Sequence, residues 1–307
     1  MERSERMRYK SNKSAARRQL VPFYLLIPGF FVIGVFVFFP ILRAFSYSLH
    51  NYSLLRPQDA GFIGLDNFRN ILNDDLFFRS VRNTLTYAIS VTVAQFLLGF
   101  SLALSLREMK RGTGVYRTIV FAPWAISGVL TSVIWLMFFN TRFGAINDLL
   151  MRADIIDTAI AWRSTAFLAM FSVVVAATWR GIPFFAIALL ASLQSIPHEI
   201  NEAARIDGAG SLKTFFYITL PYVRETIVLT TLLRFIWTFN DVDIIYSFTG
   251  GGPANATLTL PVYITQEAIQ RMNFGYGSAL TVSLTIILLT LSFVYLKLNR
   301  DTGDFSA

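Results

Sequence analysis

Six long apolar runs alternate with shorter polar segments along the chain, and that alternation is the first statement of its architecture. A membrane-spanning helix needs about 20 mostly apolar residues. The qualifying runs are Val21 to Leu42, with Pro22, Pro28 and Pro40; Thr84 to Leu106; Tyr116 to Phe139, broken at Pro123; Ala166 to Leu190, enclosing Trp179-Arg180-Gly181-Ile182-Pro183; Glu225 to Phe248; and Tyr276 to Leu296. The first is too long for the core of a cleaved signal peptide, and no small-residue cleavage site follows it. The pattern predicts an all-α polytopic integral membrane protein with six transmembrane helices over 19–300. A basic tail over 1–18 and a short tail over 301–307 flank it.

Two polar segments depart from simple loops. Within 51–80, Phe62, Ile63, Leu65, Phe68, Ile71 and Leu72 recur at roughly helical spacing among Asp66, Asn67, Arg69 and Asn70. That spacing predicts an amphipathic helix lying on the outer surface. The second, 195–221, is amphipathic and interrupted by Gly208, too polar to cross a bilayer. It predicts a helix from Glu202 to Asp207, stopped at Gly208, and a second helical stretch ending at Leu220-Pro221.

Charge sets the orientation. Arg3, Arg6, Arg8, Lys10, Lys13, Arg17 and Arg18 precede the first run, Arg107, Lys110, Arg111 and Arg117 flank the loop after the second, and Lys297 and Arg300 close the sixth. The segments after the first and third runs balance their charges. The excess of basic residues on cytoplasmic loops then predicts both termini in the cytoplasm, and parity places 195–221 there too. The same distribution explains the net charge of +8 without nucleic-acid binding. It also makes the first tail a topology signal rather than an anionic-lipid anchor.

Composition agrees. Of 307 residues, 54% are hydrophobic and 15% charged, where a soluble domain is nearer a quarter charged. There is no cysteine and only two histidines, His50 and His198, so neither disulfides nor a metal site is expected. No nucleophile–base constellation marks a catalytic residue. The chain has no phosphate-binding G-x-x-x-x-G-K-[ST] sequence, so it is not expected to hydrolyse ATP.

The most specific pattern is Glu202 to Pro221, EAARIDGAGSLKTFFYITLP. It resembles, position for position, the EAA loop of permease subunits in binding-protein-dependent ABC importers. A second run, Phe239-Asn240-Asp241-Val242-Asp243-Ile244-Ile245-Tyr246-Ser247-Phe248-Thr249-Gly250-Gly251-Gly252-Pro253, is similar to the F-N-x-F-D-x-I-Y-x-L-T-x-G-G-P signature of the maltose-type carbohydrate permeases. Val242 and Phe248 depart from it conservatively. Gly275-Tyr276-Gly277-Ser278-Ala279 and Phe62-Ile63-Gly64-Leu65-Asp66-Asn67-Phe68 also resemble that family. The likeness covers about residues 20 to 300.

The resemblance implies a transport subunit of the cell inner membrane that moves a sugar or oligosaccharide inward by alternating access. It implies a second, homologous permease in a heterodimer, two ATPase subunits that carry ATP and Mg, and an extracytoplasmic solute-binding protein. No cofactor is expected on this chain. The coupling loop is expected to dock on an ATPase through Glu202, Ala203, Ala204, Arg205, Asp207, Gly208 and Lys213. In physical terms, the alanines permit close approach and favour helix. Glu202 is expected in the first turn, where the helix dipole favours a carboxylate, and Gly208 turns the backbone.

The fifth run holds the most costly content. Arg234, Asp241 and Asp243 lie at or near hydrocarbon depth, where a charge costs a few kcal/mol or more and usually faces the bundle interior or water. At about 100° per residue, Arg234, Trp237, Asp241 and Phe248 share one face, with Ile236, Asn240, Asp243 and Ser247 beside it. Ionic groups beside an indole suit a sugar, whose hydroxyls need donors and acceptors and whose ring stacks on aromatics. The pathway residues are therefore Arg234, Trp237, Asn240, Asp241, Asp243, Tyr246, Arg180 and Trp124, with Tyr87 and Trp135 as further lining. An internal Arg234–Asp241 ion pair is the structural alternative. Other readings are a permease for glycerol-phosphate or another polar or anionic solute, and an ion-coupled secondary transporter using Asp241 or Asp243.

Overall fold

A computed structural model describes residues 26–109 and 113–300. The tail expected over 1–18, the start of the first run, Lys110, Arg111 and the tail over 301–307 lie outside the described residues.

Among the described residues four helices are long and apolar enough to cross a membrane: α1 (Leu26–Ser48), α3 (Asp75–Glu108), α7 (Ala166–Gln194) and α13 (Phe274–Arg300). Between α1 and α3, a two-residue pair of strands, β1 (His50–Asn51) and β2 (Gly61–Phe62), precedes the short helix α2 (Asp66–Leu72). The surface helix expected from Phe62 onward is thus confined to seven residues, Phe62 being taken into β2. Asn67 pins α2 to the end of α1: its side chain is buried and donates to the carbonyls of Ser48 and His50 at 2.9 and 3.0 Å.

The third run is broken where Pro123 stands. Helix α4 (Thr113–Phe121) gives way to a 3-10 turn over Ala122–Ala125. Helix α5 (Gly128–Phe138) leaves at 100° to the preceding piece. Proline lacks the N–H and disfavours helix in the residue before it, and Ser127 starts the new helix by accepting from the N–H of Leu130. Pro183 has no such effect, since α7 runs unbroken through it. Helix α6 (Ala145–Arg152) lies between α5 and α7.

The polar segment after α7 holds α8 (His198–Ile206) and α9 (Ser211–Thr214). A π turn at Phe215–Thr219 and a last turn at Leu220–Tyr222 lead into α10 (Arg224–Phe239). The fifth run does not form one continuous helix. α10 stops at Phe239, residues 240–242 are non-helical, and α11 (Asp243–Phe248) restarts the chain. A turn through 249–259 then leads to α12 (Leu260–Thr265).

Helices α3 and α7 pack along most of their lengths and form the spine, with α10 laid against both. α1 lies on the outside, its most apolar stretch unburied, and contacts mainly α13. Two apolar clusters build the core. One gathers around the Asp75 end of α3, with Tyr87, Ala88, Val91, Val173 and Phe239. The other gathers at its Glu108 end, with Phe100, Ala103, Phe185, Leu189 and Leu193. Between the clusters the buried residues of α3 and α7 are polar or small, Thr92, Gln95, Thr178 and Gly181 with Pro183, and the half-buried Arg180 joins them.

Candidate functional site

This polar layer carries the first candidate site. Gln95 of α3 is fully buried, and both ends of its amide are used. Its oxygen accepts from Arg234 Nε at 2.5 Å, and its nitrogen donates to the carbonyl of Ala177 at 2.8 Å. One turn beyond Ala177, a Cβ on Gly181 would collide with the Gln95 amide and the Arg234 guanidinium, so only glycine leaves room for that pair. Eight residues before Gln95, the hydroxyl of the buried Tyr87 donates to Asp241 Oδ2 at 3.0 Å.

A second strand of the layer comes from the bend. Arg180 donates from Nε to the carbonyl of Ile126 at 3.0 Å. Its Nη1 and the Cβ of Asp243 lie 3.2 and 2.7 Å from the point a Cβ of Gly128 would occupy, so Arg180 and Asp243 converge on the first turn of α5. Ser132, one turn on, donates to the carbonyl of Ile244 at 3.1 Å and ties α5 to α11. The broken third and fifth runs therefore brace each other. The hydroxyls of Thr92, Thr178 and Thr238 and the indole N–H of Trp135 are buried without a hydrogen-bond partner. Each of these threonines stands within three residues of Gln95, Arg180 or Asp241. Buried polar groups are rarely left unpaired, and a clustered set marks a layer built to meet water or a polar solute.

The expected pathway residues divide accordingly. Arg180, Arg234, Asp241 and Asp243 belong to the layer. Trp237 borders it, half-exposed, its ring edge-to-face with Phe184 at 5.2 Å. Asn240 is exposed and caps its own helix by donating to the carbonyl of Ile236. Trp124 is half-exposed on the 3-10 turn of the bend. Tyr246 is not brought to the layer, since its hydroxyl accepts from the Gln270 amide across the turn region instead. No Arg234–Asp241 ion pair forms: the pairs among the described residues are Arg69–Asp66, Arg152–Asp148 and Arg271–Glu267. The helical wheel drawn across 234–248 also fails after Phe239, because the chain leaves the helix there. Gln95 escaped the sequence reading, although a lone amide within an apolar run is a signal in its own right.

The second candidate is the polar loop after α7. Helix α8 begins at His198, so the carboxylate of its first turn is Glu199, and Glu202 lies a turn further on, exposed. Ala204 is buried against the chain itself and Ala203 is exposed. Gly208 adopts φ +73°, donating to the carbonyl of Arg205 while Ala209 donates to that of Ala204, which closes the helix with a left-handed turn. Arg205, Asp207 and Lys213 are exposed. Ile206, Leu212 and Tyr217 are exposed as well, at 86, 75 and 80%, an apolar rim that charge-based reading missed. The loop's base is fixed by hydrogen bonds from Tyr222 to the carbonyl of Ser195 and from Thr226 to Ser192. Between the loop and the Glu108 end of α3 lies a cleft of about 840 Å³, whose walls include Arg107, Glu108, His198, Glu202 and Arg205. Among the described residues no cluster of three or more His, Asp or Glu could hold a metal.

Residues 95–301 match the family model of the binding-protein-dependent transport system inner membrane component. The chain belongs to this family. The permease is 32% identical over 294 residues to the trehalose/maltose transport system permease protein MalF of Thermococcus litoralis, covering 96% of this chain and 98% of that one. It is 32% identical over 278 residues to the lactose transport system permease protein LacF of Rhizobium radiobacter, covering 89% and 92%. The bacterial alginate ABC transporter, solved in complex with an alginate-bound periplasmic protein, contains a chain of the same fold. It has a TM-score of 0.81 at 20% identity, covering 95% of this permease and 98% of that chain. The family match and the two sequence relatives place the permease in the carbohydrate branch of its family.

Proposed function

We propose that the permease forms half of the membrane pathway of an ABC importer for a sugar or oligosaccharide. Six spans cross the inner membrane, α10 with its continuation to α11 serving as the fifth and the bent α4–α5 pair as the third, with both termini in the cytoplasm. A second, homologous permease covers its exposed apolar faces. Two ATPase subunits dock on the α8 loops, and an extracytoplasmic binding protein delivers the solute. Closure of the ATPases drives the loops together and opens the polar layer outward by alternating access.

The observation that carries this reading is the polar layer itself. It brings donors and acceptors together in the bundle interior, with the half-exposed indole of Trp237 at its edge, beside the run that resembles the carbohydrate permeases. Two guanidinium groups, Arg180 and Arg234, face two carboxylates, Asp241 and Asp243. The layer is thus balanced in formal charge, which suits a neutral saccharide better than an anion.

The test is uptake in cells carrying the complete system, with labelled maltose, trehalose and lactose, the solutes in the names of similar permeases. Wild type is expected to import at least one, and Trp237→Ala or Asp241→Ala to lower that rate at least tenfold while binding-protein-stimulated ATP hydrolysis survives in part. Wild-type uptake of none of them, or unchanged uptake and selectivity in both variants, contradicts the reading.

A further inference from the structure

We propose that Gln95 is a positioning residue of the pathway, and that α3 acts through Tyr87 and Gln95 as a spacer that keeps Asp241 and Arg234 apart. The inference rests on reading the polar layer as the sugar pathway.

Opposite charges in a low-dielectric interior attract strongly, and Arg234 and Asp241 stand only seven residues apart in sequence. Left to themselves they would collapse into an ion pair and spend their hydrogen-bonding capacity on each other. The structure shows each held by a different neutral group on one rigid helix. Tyr87 takes one carboxylate oxygen of Asp241, and Gln95 takes the Nε of Arg234. Eight residues of α-helix separate these anchors by about 12 Å.

The orientation of Gln95 is fixed by chemistry. A guanidinium only donates and a carbonyl only accepts, so the amide oxygen must face Arg234 and the amide nitrogen must face Ala177. The Ala177 carbonyl stands one turn before Gly181, whose missing side chain leaves the space where amide and guanidinium meet. Held by Nε, the guanidinium keeps its terminal nitrogens for another partner, while Asp241 is fixed between the Tyr87 hydroxyl and the backbone N–H of Ile244. A fork of donors and an acceptor held about 12 Å apart along α3 can meet hydroxyls at different ends of a sugar. Arg180, anchored by Nε to the carbonyl of Ile126, follows the same plan.

The experiment is a mutant cycle in the assembled importer, using whichever of maltose, trehalose and lactose the wild type takes up fastest. Uptake, stimulated ATP hydrolysis and the amount of assembled complex are read for Gln95→Met, Gln95→Glu, Arg234→Met and the double variant Gln95→Met with Arg234→Met. If Gln95 acts by placing Arg234, Gln95→Met lowers uptake at least tenfold with stimulated hydrolysis within about threefold of wild type. Gln95→Glu, which still accepts from Nε but loses the donor to the Ala177 carbonyl, is expected to lose less uptake than Gln95→Met. The double variant is then no worse than Arg234→Met alone, since the two losses share one cause. Multiplicative losses, equal loss in Gln95→Glu and Gln95→Met, or failure of both Gln95 variants to assemble would overturn the proposal in favour of an ordinary structural junction. Wild-type uptake and selectivity in Arg234→Met would instead overturn the pathway reading on which the inference rests.

Discussion

The hydroxyl of Tyr87 donates to Asp241 across the bundle at 3.0 Å, so the middle of α3 is joined to the chain at the point where α10 ends. Tyr87 is fully buried, and a carboxylate in such surroundings is retained only with partners. Tyr87→Phe removes the donor and nothing else. It is expected to cost about 1.5–3 kcal/mol, the range for a hydrogen bond to a charged group, and to lower uptake. Asp241→Asn, which can still accept, is expected to be the milder change. Thermal unfolding of the purified complex, read beside uptake, checks both.

A second prediction concerns acid. Asp74 caps α3 by accepting from the N–H of Leu76, and the hydroxyls of Tyr263 and Tyr276 each donate to its Oδ2 at 2.7 Å. Burial alone would raise its pKa. The two tyrosine hydroxyls and the backbone donors outweigh burial and hold the carboxyl below its usual range. Asp74 therefore binds protons more readily in the unfolded chain. Its contribution is complete above the ordinary carboxylate pKa and is lost as pH falls through the depressed folded value. Asp74→Asn should flatten that acid-side loss, and Tyr263→Phe should shift it to higher pH, as measured by unfolding midpoints over a pH series. Glu267 behaves oppositely. Burial raises its pKa against the pull of Arg271, so stability falls as pH rises from the unfolded to the folded value. Glu267→Gln should remove that slope.

The α8 loop is predicted to be sensitive in its backbone. Gly208 at φ +73° occupies the left-handed region, and a Cβ there meets nothing within 4 Å. The penalty for Gly208→Val is therefore conformational, about 1–2 kcal/mol or somewhat more for a β-branched residue, and it falls on the end of α8. Assembly with the ATPases and uptake should drop while the bundle keeps its helix content, as co-purification and circular dichroism would show.

The apolar rim of the same loop supplies another test. Ile206 and Leu212 are exposed together with Tyr217 on one loop, and grouped exposed apolar residues mark contact surfaces. Ile206→Asp is expected to reduce ATPase recovered with the permease at least fivefold, without changing the amount of permease in the membrane.

Most of the architecture was legible because lipid demands long apolar runs, and α1, α3, α7 and α13 follow from hydropathy alone. The bend at Pro123 was legible too, since proline removes a backbone donor. The unbroken passage of α7 through Pro183 was not, because surrounding packing decides whether proline breaks a helix or is accommodated. The stop of α10 at Phe239 was missed although Asn240, Asp241 and Asp243 follow it, because these polar residues were read as one face of a continuous span. Only the tertiary bonds from Tyr87 to Asp241 and from Ser132 to the carbonyl of Ile244 show why the chain leaves the helix there. Charged members of the polar layer could be named from their cost in the membrane, whereas Gln95, neutral and satisfied on both sides, became visible only with its partners in place. In the loop, Gly208 was read correctly as the stop. The start at His198, four residues before Glu202, was missed because Pro197 precedes it without a capping side chain.

The central claim is that this permease imports its solute with work received through the α8 loop. The most direct measurement is uptake into proteoliposomes holding the complete complex, with ATP inside and loaded binding protein outside, comparing wild type with Glu202→Lys. The account predicts ATP-dependent uptake by wild type and a fall below a tenth in Glu202→Lys, with stimulated ATP hydrolysis falling together with it. Uptake by wild type without ATP, or normal uptake by Glu202→Lys, would contradict it.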